Sequence, residues 1–144
     1  AKIILGLQDK VFLGNLDAKR DWGYAPEFVE GMWRMLQADK PNDYVLATGE
    51  MHTVREFVEE SFSVLGDKII WEGKGINEVG TLGSTGKVVV EIDSRYFRPT
   101  EVELLVGDPA KVKKDLGWSP STTFEDLVRI MALSDFEKIK DRNG

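Results

Sequence analysis

Two segments carry side chains that are costly in a loop unless they are used. The first is Leu13-Gly14-Asn15-Leu16-Asp17-Ala18-Lys19-Arg20-Asp21-Trp22-Gly23, which sets two cations, one amide and an indole between a strand and a helix. An arginine beside a lysine on a loop can hold a phosphate, the arginine through its planar fork of donors and the lysine as a point charge. The alternative pairs Arg20 with Asp17 or Asp21, and the residues alone leave both readings open. The second segment is Tyr96-Phe97-Arg98-Pro99-Thr100-Glu101-Val102. Here Pro99 restrains the backbone at Arg98. Arg98 and Glu101 either pair with each other or serve separately, as anion clamp and hydroxyl acceptor.

Other chemistry is scarce. The chain has no cysteine, which excludes a disulfide framework, thiol chemistry and cysteine-ligated zinc. Its single histidine, His52, excludes a multi-histidine metal site and leaves one possible base for a serine nucleophile. His52 reads as a loop residue that orders the start of a helix. The pair Glu59-Glu60 reads as a solvated helix face. There is no Walker-type phosphate loop, no His-Glu-x-x-His and no Gly-x-Ser-x-Gly. Gly73 and Gly75 open a dinucleotide-type spacing, but Glu78 stands where its third glycine belongs, and no strand-to-helix setting surrounds it. No catalytic residue and no metal ligand are assigned.

The elements that must position these residues alternate between short strands and helices, an α/β pattern. Residues 1–8 do not settle on one period. Val11-Phe12-Leu13 reads as a strand. A helix follows over about Ala25 to Gln37, with Pro26 suited to its first helical position and an apolar stripe of Phe28, Val29, Met32, Met35 and Leu36. Tyr44-Val45-Leu46-Ala47 reads as a buried strand. Thr53-Val54-Arg55-Glu56 fits a capping box opening a second helix that Gly66 ends. Ile69-Ile70-Trp71 is a strand, and the glycine-rich residues 72–86 read as a long loop. Lys87 to Asp93 is a strand with Val88, Val90 and Ile92 on one face. Asp108 as N-cap and Pro109 at N1 open a third helix, stopped by Gly117. Thr122 with Glu125 suggests a capping box for the last helix, whose apolar face is Phe124, Leu127, Val128, Met131, Leu133 and Phe136. The charged tail from Lys138 to Gly144 is expected to fray.

At 144 residues, with 42% hydrophobic and 10% aromatic, the chain has one domain's worth of core-forming material. The net charge of −6 argues against a nucleic-acid partner. No apolar run approaches a membrane span, so no membrane partner is expected. The start, Ala1-Lys2-Ile3-Ile4, has no charged leader, and a soluble, cytoplasmic location is the default expectation. The chain begins without methionine, inside what reads as an amphipathic element, as a trimmed or excised fragment would.

Three strings together resemble one family. Gly14-Asn15-Leu16-Asp17-Ala18-Lys19-Arg20-Asp21-Trp22-Gly23, Arg98-Pro99-Thr100-Glu101-Val102 and Leu116-Gly117-Trp118-Ser119-Pro120 occur in this order, at comparable spacing, in GDP-mannose 4,6-dehydratases. The Leu-Gly-Trp-x-Pro element alone marks the wider extended short-chain dehydrogenase/reductase group. The ten-residue string from Gly14 is far more specific, and the resemblance covers essentially the whole chain.

The resemblance implies the C-terminal, nucleotide-sugar-binding lobe of a Rossmann-type enzyme, spanning residues 1–144. The N-terminal NADP-binding portion, with its Gly-rich loop and Tyr-x-x-x-Lys pair, is absent from this chain: Tyr24, Tyr44 and Tyr96 are followed four positions on by Phe28, Thr48 and Thr100. The fragment alone is expected to be inactive. For the complete enzyme the resemblance implies an internal redox dehydration of GDP-mannose to GDP-4-keto-6-deoxymannose, with NADP unchanged overall, and a homo-dimer or homo-tetramer. It implies Arg20 and Arg98 on the diphosphate, Glu101 on ribose hydroxyls, and Gly14 and Asn15 near the guanine. Lys19 stands second to Arg20, and Trp22 reads as packing. The alternative is a non-catalytic nucleotide- or protein-binding α/β module that reuses the fold without the chemistry.

Overall fold

The computed structural model describes residues 1–98 and 106–143. Among these the chain forms, in order, β1 (Val11–Leu13), β2 (Lys19–Arg20), α1 (Ala25–Leu36), β3 (His52–Thr53), α2 (Val54–Val64), β4 (Ile69–Glu72), β5 (Val79–Leu82), β6 (Val88–Ile92), α3 (Ala110–Leu116) and α4 (Phe124–Asn143). A four-stranded mixed sheet has the order β1-β6-β5-β4, and β2 with β3 makes a two-stranded pair. β1 runs parallel to β6, with Leu13 opposite Ile92, while β5 is antiparallel to both its neighbours.

The chain divides into two units. The first comprises Ala1–Ala18, Thr53–Val102 and Val128–Gly144. Its core gathers Phe62 of α2, Leu82 of β5, and Val89 and Val90 of β6, with Val11, Leu13, Val58, Ile69 and Trp71 packed around them. Val89 and Val90 are adjacent and both fully buried. Successive side chains of a strand point to opposite faces, so β6 is covered on both. The expected apolar-in, polar-out alternation is therefore replaced at Val89.

The second unit comprises Lys19–His52 and Glu103–Leu127. Its core is built around Trp118, which donates from Nε1 to the Glu27 carbonyl at 2.8 Å and meets Phe28 edge-on at 5.4 Å. Gly31 of α1 lies against Trp118 and Leu46, so a side chain there would press on the indole. Arg34 donates to the carbonyls of Leu116 and Gly117, at 3.2 and 2.8 Å, satisfying the end of α3. Gly117 takes the left-handed conformation that ends this helix, φ 63°.

Several expectations are corrected. The segment 72–86 is not one loop: a 3₁₀ turn at Gly75–Asn77 leads into β5. Gly80 sits inside that strand because it faces Trp71, and an added Cβ would lie 2.9 Å from the indole. Tyr44–Ala47 is not a strand among the described residues; Ala47 is buried by packing against Gly107, with no ladder. The capping box at Thr53 and Glu56 is present in both directions. The last helix, however, is capped by Thr123, whose hydroxyl accepts from Asp126 N–H at 3.2 Å, while Thr122 is occupied by Glu27. The N-cap of α3 is Pro109, with Asp108 Oδ1 accepting from Ala110 N–H at 2.9 Å. The charged tail stays helical through Asn143. Residues 1–7 make a helical turn, Leu5 N–H donating to Ala1 C=O at 3.0 Å.

Candidate functional site

The parallel pairing of β1 and β6 brings the loop after one strand beside the turn after the other. Asp93 N–H donates to Leu13 C=O at 2.9 Å, closing the ladder. The turn beyond it is internally bonded. Tyr96 and Phe97 N–H both donate to Asp93 C=O, at 3.0 and 2.9 Å, and Arg95 N–H donates to Asp93 Oδ1 at 2.8 Å. The Arg95 guanidinium bonded to the same carboxylate holds Asp93 below the usual carboxylate range.

Onto this turn the Gly14-Asn15 loop is placed without space to spare. A Cβ on Gly14 would lie 2.4 Å from Tyr96 O. Asn15 Nδ2 donates to Arg98 C=O at 2.7 Å, and Arg98 N–H donates to Asn15 Oδ1 at 2.7 Å. The Arg98 side chain is exposed, and its guanidinium has no partner among the described residues.

The same loop is anchored from α2. Arg55 N–H donates to Leu16 C=O at 2.9 Å and Val54 N–H to Ala18 C=O at 3.1 Å. These are helix N-terminal amides finding acceptors outside the helix. The Arg55 side chain reaches Asp17 at 2.9 Å and Glu78 at 2.6 Å, with its guanidinium 4.9 Å from the Trp71 ring centre. Hydrogen bonding to Glu78, and then to Asp17, raises the Arg55 pKa further. Sequence reading missed both roles: Arg55 appeared only inside a capping box, and Glu78 only as a failed glycine position. Nothing in their spacing connects them.

In the other unit, Lys19 and Arg20 form β2 and both are exposed. Arg20 Nη1 donates to Lys19 C=O at 2.7 Å. Asp17 pairs with Arg55, and Asp21 accepts from Thr48 N–H and Oγ1 and from Gly49 N–H, at 2.8 to 3.1 Å. Trp22 is half-buried and donates to His52 C=O at 3.1 Å. His52 itself stacks on Phe124, ring centres 3.9 Å apart, and so acts in packing as well as in β3. Glu59 is not purely solvated: it accepts from Trp71 Nε1 at 2.6 Å. Glu101 lies outside the described residues.

The described residues do not form a dinucleotide cradle. Such a site needs a strand, a Gly-rich turn and a helix N-terminus, whereas Gly73 and Gly75 lead through a 3₁₀ turn into β5. No group of three or more His, Asp or Glu side chains among the described residues is arranged to hold a metal ion. No helix of the described residues is long and apolar enough to cross a membrane.

The family model described as GDP-mannose 4,6 dehydratase matches residues 1–131. The chain belongs to that family. Among relatives, GDP-mannose 4,6 dehydratase of Homo sapiens is 56% identical over 140 residues, covering 97% of this chain and 38% of that protein. GDP-mannose 4,6-dehydratase of Sinorhizobium fredii is 52% identical, covering 97% and 40%. The chain thus spans about two fifths of the length of these dehydratases. Among solved structures, RMD from Pseudomonas aeruginosa complexed with NADPH superposes with a TM-score of 0.69 at 20% identity, covering 95% of this chain and 39% of that one. UDP-glucose 4-epimerase from Thermotoga maritima with UDP-glucose gives 0.64 at 17%, covering 96% and 38%. These likenesses establish a shared α/β fold.

Proposed function

We propose that this chain is the nucleotide-sugar-binding part of a GDP-mannose 4,6-dehydratase. The observation that carries the reading is the family match across residues 1–131. The complete enzyme would convert GDP-mannose to GDP-4-keto-6-deoxymannose by an internal redox dehydration, in the cytoplasm, as a homo-dimer or homo-tetramer. NADP would be held mainly by a portion of the protein outside these residues. The NADPH-bound Pseudomonas structure, similar in fold, supports a nicotinamide cofactor.

Within this chain, Arg98 offers an exposed guanidinium on an internally bonded turn. Arg20 offers a second on β2, with Lys19 beside it. Both arginines would hold the diphosphate through charge-assisted bonds. Gly14 and Asn15 would lie beside the base, and Glu101 would accept from the ribose hydroxyls. Binding energy gathered on the GDP handle would position the hexose for reaction.

Calorimetric titration of the full-length protein with GDP and GDP-mannose tests this. Arg20→Ala and Arg98→Ala should each weaken both ligands. Unchanged affinity in both variants would remove the diphosphate assignment.

A further inference from the structure

We propose that Asn15 is a positioning residue that acts on the nucleotide through Arg98, by fixing the backbone from which that guanidinium projects. The inference rests on the reading of Arg98 as a diphosphate ligand given above.

Four observations carry it. First, the Asn15 carboxamide spends its acceptor and one donor on the N–H and C=O of a single residue, both at 2.7 Å. Only a side chain with a donor and an acceptor at that separation closes such a ring. Aspartate lacks the donor at neutral pH, and serine has one atom for both bonds. Second, Gly14 serves the same contact, because any side chain there would collide with the Tyr96 carbonyl at 2.4 Å and lift the loop off the turn. Third, the turn is bonded to Asp93 at Arg95, Tyr96 and Phe97, so Asn15 takes up the next residue where that internal bonding ends. Fourth, the Arg98 side chain is exposed and has no described partner of its own. The held part of Arg98 is therefore its backbone, and that backbone is what Asn15 holds.

The Asn15 loop is in turn secured by the Val54 and Arg55 amides and by the Arg55–Asp17 pair. A cation whose backbone is fixed before the ligand arrives loses less conformational freedom on binding than one on a mobile loop. Asn15 would thus contribute to phosphate affinity without touching phosphate.

The test compares GDP with guanosine, which keeps the base and ribose and lacks the diphosphate. Both are titrated into the full-length protein, unaltered and as Asn15→Ala, Arg98→Ala and the double variant. Arg98→Ala should weaken GDP by about ten- to a hundredfold, the loss of charge-assisted bonds, and leave guanosine unchanged. Asn15→Ala should weaken GDP about three- to tenfold more than it weakens guanosine. Beyond the loss from Arg98→Ala alone, the double variant should weaken GDP by no more than Asn15→Ala weakens guanosine.

Should Arg98→Ala leave GDP binding intact, the diphosphate reading fails and the inference fails with it. If Arg98→Ala weakens GDP but Asn15→Ala does not, only the positioning role is overturned. An equal loss for guanosine in Asn15→Ala, or additive losses in the double variant, overturns it as well. Hydrogen exchange on the unaltered protein supplies a reading that no misfolded variant can confuse. The Arg98 amide should be protected, and exchange at the rate of a free loop would overturn the clamp itself.

Discussion

Arg55 and Glu78 meet in a two-point pair, Nη1 to Oε1 at 2.6 Å and Nη2 to Oε2 at 3.1 Å. The Glu78 side chain is 12% exposed. Arg55 stands in the first turn of α2 and Glu78 just before β5, so the pair ties a helix start to the sheet. Through Asp17 it also reaches the loop that carries Asn15.

Removing one partner of such a pair leaves the other poorly hydrated and unpaired. Arg55→Ala is expected to cost about 2–4 kcal/mol of folding stability, read from urea unfolding. Arg55→Met combined with Glu78→Leu should recover a large part of that loss, because no charge is stranded. A single variant as stable as the unaltered chain would mean the pair is no more than a surface contact.

Gly80 faces Trp71 across β4 and β5, and a Cβ there would sit 2.9 Å from the indole and 3.1 Å from the Val90 Cβ. Gly80→Val should therefore destabilise the fold by about 1–3 kcal/mol through overpacking, despite valine's preference for strands. Thermal unfolding compared with Gly86→Ala, a position with no neighbour within 4 Å but φ of 69°, separates crowding from backbone strain. Trp71→Phe should partly relieve the Gly80 variant and do nothing for the Gly86 one.

These residues mark how far the sequence could be read. Helices α1 and α2 were legible because Pro26, the Thr53–Glu56 capping box and the apolar steps are local signals. β5 was not, since the five glycines of residues 72–86 read as a loop and the reason for Gly80 lies on another strand. Among the described residues Tyr44–Ala47 erred the other way: an apolar run of strand length lies against Gly107 with no ladder to a described strand. Arg98 stood out as a loop arginine before proline, but its tie to Asn15 joins positions 83 residues apart. No spacing rule reaches that distance.

Glu27 supplies a pH dependence. Burial pushes its carboxyl upward, but hydrogen bonds from Ser121 and Thr122 outweigh this and set its pKa below the ordinary glutamate value. A folded pKa lower than the unfolded one gives stability that is present above the unfolded value, about 4.3, and lost as pH falls through the folded one. Glu27→Gln should lower the melting temperature at pH 7 and flatten its decline at acid pH. Melting curves of both proteins across that range decide the matter. Parallel curves would show that Glu27 is not one of the groups responsible.

Helix α1 is apolar on more than one side. Phe28 is half-buried against Trp118, yet Val29, Met32, Trp33 and Leu36 are 62, 54, 60 and 83% exposed. They recur at three- and four-residue steps and form a continuous stripe. The dehydratases that this chain matches are more than twice its length, so a complete family member has further chain to cover such a face. Isolated, the 144 residues should bind a hydrophobic dye and self-associate in light scattering. Val29→Lys with Leu36→Lys should reduce both effects and leave the Trp118 core intact, since neither residue is buried. In the full-length protein the same two changes should instead be destabilising, because there the stripe would be covered. A strictly monomeric fragment that takes up no dye would mean that the stripe is tolerated by solvent and needs no cover.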